Sequence, residues 1–276
     1  MRMPAKSWTV IALAIGISIS TGAARADALD DIKARGQMVC GTLGTSQPFS
    51  YQDPATRQLV GYDVDVCKLV ADKIGVPVEY KLLAVAARIP ELESGRVDVL
   101  AANLGWTPER AQQIAFSDQY YLTPQKLLVR DSSDIRSIED LAQSRIGATK
   151  GSSSERMIKE QLPEARVIGY ADSPAAFLSL QQRKIDAQFA SELALVRLKN
   201  ESPANGQTRI LEKSVFDEPW GLGVRKGEDQ LLAVVNDALR EAEADGTAQA
   251  LFDKWFGAES VYKLSRSFTI EPIQGN

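Results

Sequence analysis

RIPELESGRVDVLAANLGWTPERAQQIAFSDQYY, residues Arg88 to Tyr121, is the stretch on which the reading of this chain turns. Val97 to Leu104 is a nearly continuous run of small and apolar residues, the pattern of a parallel strand covered on both faces. Gly105 and Trp106 make a turn, and Thr107-Pro108 then starts a helix. The Thr hydroxyl can accept from an unpaired N–H, and Pro suits the first turn. Arg110 falls in that first turn, where free N–H groups and the helix dipole favour an anion and a guanidinium adds a two-pronged donor. The arrangement reads as a carboxylate receiver at the mouth of a buried strand. A surface arginine beside an ordinary helix cap would give the same residues, so the surrounding chain has to decide.

On both sides of this stretch, strands and helices alternate, which predicts an α/β fold of mostly parallel sheets with helices on both faces. Strands are expected at Gln37–Thr42, Val76–Leu83, Lys126–Val129, Arg145–Ala148, Val167–Tyr170, Ile185–Phe189 and Trp220–Val224. Helices are expected at Tyr62–Ile74, Ile89–Ser94, Ser154–Gln161, Ala175–Gln182, Gln230–Asp245 and Thr247–Phe256, and Ser137-Ile138-Glu139-Asp140 resembles a capping box. Ile89–Asn103 also aligns without a gap to Phe177–Ser191, 88 residues later: Leu92 with Leu180, Val97 with Ile185, Asp98 with Asp186, Ala102 with Ala190. Each copy is a short helix, a basic turn and a strand. The repeat predicts two similar lobes, with Asn103 and Ser191 at equivalent strand ends. Ligands of open α/β sheets bind beyond those ends, so the two residues are expected across one cleft.

Residues 1–26 read as a secretory signal peptide: Arg2 and Lys6 at the start, an apolar Trp8–Ile19, then Ala24-Arg25-Ala26 as a cleavage site. Export to a bacterial periplasm is the expectation. The remaining 250 residues carry 29 Lys and Arg against 36 Asp and Glu, with basic groups scattered among acids, so nucleic acid is not an expected partner. The chain has no histidine, which excludes Ser-His-Asp and Cys-His catalysis and His-ligated metal sites. Cys40 and Cys67 are its only thiols: either one disulfide of an exported protein or two buried small side chains, and too few for a structural zinc site. No cofactor is expected.

Three further segments could carry binding chemistry. Gly151-Ser152-Ser153-Ser154 precedes an amphipathic helix, so Ser152 and Ser153 could hold an anion or simply cap the helix. The segment is not a phosphate-binding loop of the Walker type, because the Lys-Ser/Thr step is missing. Ser46 and the turn Gln47-Pro48-Phe49-Ser50-Tyr51 follow the first strand, where Tyr51 offers an aromatic wall or only packing. Arg88 opens a helix and is either a second cationic contact or an exposed helix-start residue. Trp220 is expected to be structural, at the return crossing between lobes.

Taken in order, Gly61-Tyr62-Asp63-Val64-Asp65-Val66, Arg88 to Gly95, Val97-Asp98, Thr107-Pro108-Glu109-Arg110, Phe116-Ser117-Asp118, Gly151-Ser152-Ser153, Arg183 to Phe189 and Phe252-Asp253-Lys254-Trp255-Phe256 resemble the periplasmic solute-binding proteins of polar amino-acid ABC importers. PFSYQD, ARIPELESG and FDKWF look most like the glutamate/aspartate-binding branch. The resemblance implies a type II, two-lobed binding protein closing like a hinge about two crossing strands, with 27–121 and 218–276 in lobe 1 and 122–217 in lobe 2. It implies that Arg110 holds a ligand α-carboxylate, assisted by Ser153 and by backbone near Asn103 and Gly105, while Arg88 meets a side-chain carboxylate. It further implies a monomer that hands an amino acid to a membrane permease driven by a separate ATPase. Three positions depart from the family pattern. Ser191 stands where many relatives carry an Asp for the ligand ammonium, although Glu192 is adjacent; Leu43 stands where the branch tends to have Arg, and Ser173 where it can have His. Two other functions fit the same scaffold. One is a periplasmic lyase or dehydratase with Glu192 as general acid; the other is a sensor that passes its signal to a receptor.

Overall fold

The computed structural model describes residues 28–202 and 207–275; the expected signal peptide lies outside them. After helix α1 (Ala28–Arg35), strand β1 (Met38–Thr42) leads to a small antiparallel sheet of β2 (Thr45–Ser46), β3 (Ser50–Gln52) and β4 (Leu59–Val60). Helix α2 (Tyr62–Ile74) and strand β5 (Val78–Leu82) follow, then α3 (Arg88–Glu93), β6 (Val99–Leu100) and α4 (Pro108–Gln113). β7 (Ile114–Arg130) is a single strand of 17 residues. Beyond it come β8 (Arg145–Thr149), α5 (Ser153–Gln161), β9 (Arg166–Tyr170), α6 (Ser173–Gln181), β10 (Ala187–Ser191) and α7 (Glu192–Glu201). β11 (Thr208–Ile210), β12 (Phe216–Arg225), α8 (Asp229–Ala244) and α9 (Thr247–Phe256) complete the elements.

The main sheet runs β5-β1-β6-β12-β7-β10-β8-β9, with β11 against β7. At one end β1 pairs in parallel with β5 and β6; at the other β8 pairs in parallel with β9 and β10. Between them β12 and β7 are antiparallel over most of their length, paired from Phe216↔Gln125 to Arg225↔Ile114. These are the two crossing strands of a two-lobed α/β fold. Each parallel set has its own core: Met38, Val66, Val70 and Leu222 with α8 in the first, Leu127, Ile146, Ile158 and Phe189 in the second. Beside the crossing, Phe49 packs its ring on Tyr121 and Trp220, each 4.9 Å away, and on Phe256 at 5.3 Å. Phe49 is thus a core residue.

The 88-residue repeat has a structural counterpart. Asp98 accepts from Val39 N at 2.7 Å, and Asp186 accepts from Arg145 N at 2.9 Å, so each aspartate holds the start of the neighbouring parallel strand. α2 and α9 match their expected spans, and Gly75 closes α2 in the left-handed region, where glycine has no Cβ penalty. The expected strand Val97–Leu104 is only Val99–Leu100. It leaves the sheet early because the carbonyls of Ala102 and Asn103 accept from Arg88 Nη1, at 2.8 and 2.7 Å, instead of joining a ladder. At the expected capping box Ser137–Asp140 the chain enters a short 3₁₀ turn, Glu139–Leu141, and Asp140 accepts from the N–H groups of Arg136 and Ser137.

Cys40 and Cys67 form a disulfide that ties β1 to α2 across 27 residues of sequence. Constraining a loop of that length in the unfolded chain stabilises the fold by about 2–4 kcal/mol. The Cys40→Ser/Cys67→Ser variant is therefore expected to lose roughly that much in urea unfolding, and added reductant should reproduce the loss in the parent protein but not in the variant.

Candidate functional site

Arg88 is 4% exposed, yet every group it needs is at hand. Its Nε donates to Val85 O at 2.9 Å, its Nη1 to the two carbonyls of the early strand end, and its Nη2 reaches Gly151 O at 3.5 Å. Burial and then the charge of Arg110 push its pKa down to about 9, so it stays protonated at neutral pH. Arg110 comes from α4, where Thr107 Oγ1 accepts from Arg110 N at 3.2 Å and Pro108 fills the first turn, as the sequence predicts. Its Nη1 donates to Gly105 O at 2.7 Å and its Nη2 to Gly151 O at 3.0 Å. Burial lowers its pKa as well. Two guanidinium groups thus converge on one carbonyl oxygen, and this oxygen belongs to the opposite lobe.

The α5 terminus supplies the facing wall. Ser152 caps it, accepting from Glu155 N at 3.1 Å, while Glu155 Oε2 accepts from Gly151 N at 2.7 Å. This reciprocal cap uses the Ser152 hydroxyl and leaves Ser153, 5% exposed, facing the space between the lobes. Gly151 sits at φ 79°, and a Cβ there would stand 2.8 Å from Ala86 Cα, so glycine is what lets the two walls meet. Glu109 and Arg156 add an ion pair across the same seam at 3.3 Å.

These walls enclose a cavity of about 110 Å³. At about 10–15 Å³ per water-sized group, that is room for on the order of ten non-hydrogen atoms. Of the expected site residues, Ser46, Arg88, Asn103, Ser152, Ser153 and Ser191 line it. Asn103 and Ser191 therefore share one cavity, as the repeat implies. Arg110, Gly105 and Tyr51 are not on its wall: Arg110 borders an adjoining cavity of about 320 Å³ that shares Arg88, Gly105 lies behind Glu218, and Tyr51 packs edge-on against Trp255 at 6.3 Å.

Further residues line the cavity that the sequence does not single out: Gln125, Arg197 and Glu218, with Trp220 in more than the structural role expected of it. Ser154 Oγ donates to Gln125 Oε1, and Gln125 Nε2 and Trp220 Nε1 both donate to Glu218 Oε2, each at 2.8 Å. This buried chain joins the two crossing strands to α5. Arg197, on α7, pairs through Nη1 with Glu201, and its buried Nε has no partner among the described residues. Leu43 and Ser173 share the wall with it. Glu192 points elsewhere, bonded to Lys126 at 2.7 Å and outside the cavity lining, so the acid that a lyase reading needs does not face this space.

The sequence of residues 38–258 matches the family described as bacterial extracellular solute-binding proteins, family 3. The chain belongs to this family. It is 32% identical over 233 residues to the ABC transporter glutamine-binding protein GlnH of Bacillus subtilis (strain 168), covering 83% of this chain and 84% of that one. It is 30% identical over 271 residues to the glutamate/aspartate import solute-binding protein of Escherichia coli (strain K12), covering 93% and 89%. The crystal structure of the ancestral amino acid-binding protein AncCDT-1, a precursor of cyclohexadienyl dehydratase, superposes with a TM-score of 0.76 at 31% identity, covering 84% of this family member and all of that chain. Glutamine and glutamate/aspartate relatives stand at similar identity, so the glutamate/aspartate branch is one of several that the chain resembles.

Behind the site, Asp63 is fully buried and accepts from Tyr120 Oη at 2.8 Å and Asn103 N at 3.1 Å, holding the Asn103 corner. Burial outweighs these bonds and raises its pKa from the usual 3.8 to about 7. A carboxyl whose folded pKa is raised favours folding at low pH and loses that contribution as pH rises from near 4 through 7. In Asp63→Asn that part of the pH dependence should be absent, which chemical unfolding at intervals between pH 4 and 8 would measure.

Proposed function

We propose that this protein is the extracytoplasmic solute-binding component of an amino-acid ABC importer. On this reading it acts as a monomer in the periplasm after removal of residues 1–26, closing about one amino acid and presenting it to the membrane permease. The observation that carries the reading is the convergence of Arg88 and Arg110 on a single acceptor position, that of Gly151 O, at the seam between two lobes. A neutral carbonyl oxygen occupies that position here. A carboxylate would be the stronger acceptor, since charge-assisted hydrogen bonds are about twice as strong as neutral ones. It would also relieve two partly desolvated cations held side by side. Lobe 1 is assigned to 27–121 and 218–276 and lobe 2 to 122–217, which puts Arg88, Asn103 and Arg110 in one lobe and Ser152, Ser153 and Ser191 in the other.

Polar and acidic amino acids fit best. The cavity is small, and Arg197 brings a cation to the wall that Leu43 also lines. The position of Glu192 and the relatives named above as binding proteins support binding without turnover. A thermal-shift panel of amino acids and organic acids should single out one or a few L-amino acids. Arg110→Ala should abolish the shift while leaving the ligand-free melting temperature within a few degrees; an undiminished shift would remove Arg110 as the carboxylate anchor. Arg197→Ala should weaken acidic ligands more than neutral ones.

A further inference from the structure

Position 191, which shares the cavity with Asn103, is a serine, and its acidic neighbour Glu192 is turned away onto Lys126. An amino-acid ligand would nonetheless bring an ammonium into a closed cleft, where an unpaired charge is strongly unfavourable. One buried carboxylate does line the cavity. Glu218 is 3% exposed and enters from β12, the crossing strand, outside both copies of the repeat. Its two oxygens are in different situations. Oε2 receives both Gln125 Nε2 and Trp220 Nε1, which fix the orientation of the group. Oε1 is buried against Gly105, where a Cβ would stand 1.8 Å from it, and has no hydrogen-bond partner among the described residues.

A carboxylate oxygen removed from water and left without a donor is costly, and native structures rarely leave one unless something else supplies the donor. The same wall holds a second such acceptor, Asn103 Oδ1, also buried and unpartnered. Asn103 is held in the left-handed region at φ 51°, with its N–H on Asp63 and its carbonyl on Arg88, so this corner is built rather than loose. Two orphan acceptors on one wall call for a ligand group with several donors and, next to a carboxylate, a positive charge. The placement also fits an α-amino acid. Glu218 lies close enough to Arg88 and Arg110 to favour the charged form of both, so a ligand carboxylate on the arginines would have its α-ammonium near Glu218.

We propose that Glu218 Oε1, with Asn103 Oδ1, receives the ligand's α-ammonium, a task for which Ser191 carries no charge. This rests on the amino-acid reading above. Glu218 thereby determines specificity, separating amino acids from the corresponding deamino acids.

The test is isothermal titration of three pairs: L-glutamate with glutarate, L-glutamine with glutaramate, and L-arginine with 5-guanidinopentanoate. The parent protein should bind at least one amino acid about 30-fold or more tightly than its deamino partner, the scale of losing one member of a buried charged pair. Glu218→Gln, which keeps the shape, should lose about that factor for the amino acid and little for the deamino acid, so that the ratio collapses. Adding Ser191→Asp to Glu218→Gln should restore much of the ratio, which a purely structural role for Glu218 would not allow. An unchanged ratio in Glu218→Gln overturns the assignment and leaves the amino-acid reading intact. So does a parent protein that binds both members of a pair within fivefold, a result that needs no variant to fold. If none of the three binds, the titration is repeated with the amino acid that the thermal-shift panel selects and its deamino acid; a panel in which no amino acid gives a shift overturns the amino-acid reading, and the role of Glu218 with it.

Discussion

The site depends on one buried guanidinium. A charge as secluded as that of Arg88 is tolerated only if its N–H groups are satisfied, and here backbone carbonyls do so: Val85, Ala102 and Asn103 on its own side and Gly151 across the seam. Those bonds take Ala102 and Asn103 out of the sheet, which stops β6 after two residues and turns the chain into the left-handed Asn103 corner. The corner is what lets Gly105 and α4 follow at once, with Arg110 pointing back over the cleft. Replacing Arg88 would therefore remove more than a cation. It would leave two carbonyls unpaired beside an apolar strand end and free the corner that Asp63 holds from behind.

The two lobes are coupled by a polar chain as well as by strands. Ser154, Gln125, Glu218 and Trp220 bond in sequence from the start of α5, through β7, to β12. Since α5 also presents Ser152 and Ser153 to the cavity, a rotation about the crossing strands moves the serine wall and strains this chain together. A hinge with a buried network has discrete preferred positions, because bonds in low dielectric are strong and costly to leave half made. That property suits closure about a ligand better than continuous bending would.

Much of this was legible in the sequence where local chemistry decides structure. The α2 cap at Gly75, the Thr107-Pro108 start of α4 and the paired aspartates of the repeat all act through neighbours a few residues away or through one strand pairing. Helix α7 was not legible, because β10 ends at Ser191 and α7 begins at Glu192 with no Gly, Pro or Asn between them. Arg197 was hidden with it. Glu218 and Gln125 were out of reach for a different reason: they sit on the two crossing strands, 93 residues apart, and meet only through the register of β12 on β7. The converse error has the same origin. Arg110 and Gly105 looked like cavity residues because they follow the strand end, yet both are engaged at the seam beside the cavity rather than on its wall.

The charges in the cleft explain why a serine at position 191 is compatible with an amino-acid site. Arg88 and Arg110 hold two positive charges at the seam, Arg197 brings a third to the cavity wall, and Glu218 is the fully buried acid among them. A zwitterion adds no net charge to this set, but it can satisfy it at two points, with its carboxylate between the arginines and its ammonium on the carboxylate they flank. An acid on the opposite lobe would do the same work only after closure, since position 191 lies across the seam from Arg88. Glu218 is rooted in the crossing strand and aligned by Trp220 from the same strand. On the proposed reading the amino-acid backbone is held by Arg88, Arg110 and Glu218, which leaves Leu43, Ser173 and Arg197 to meet the side chain.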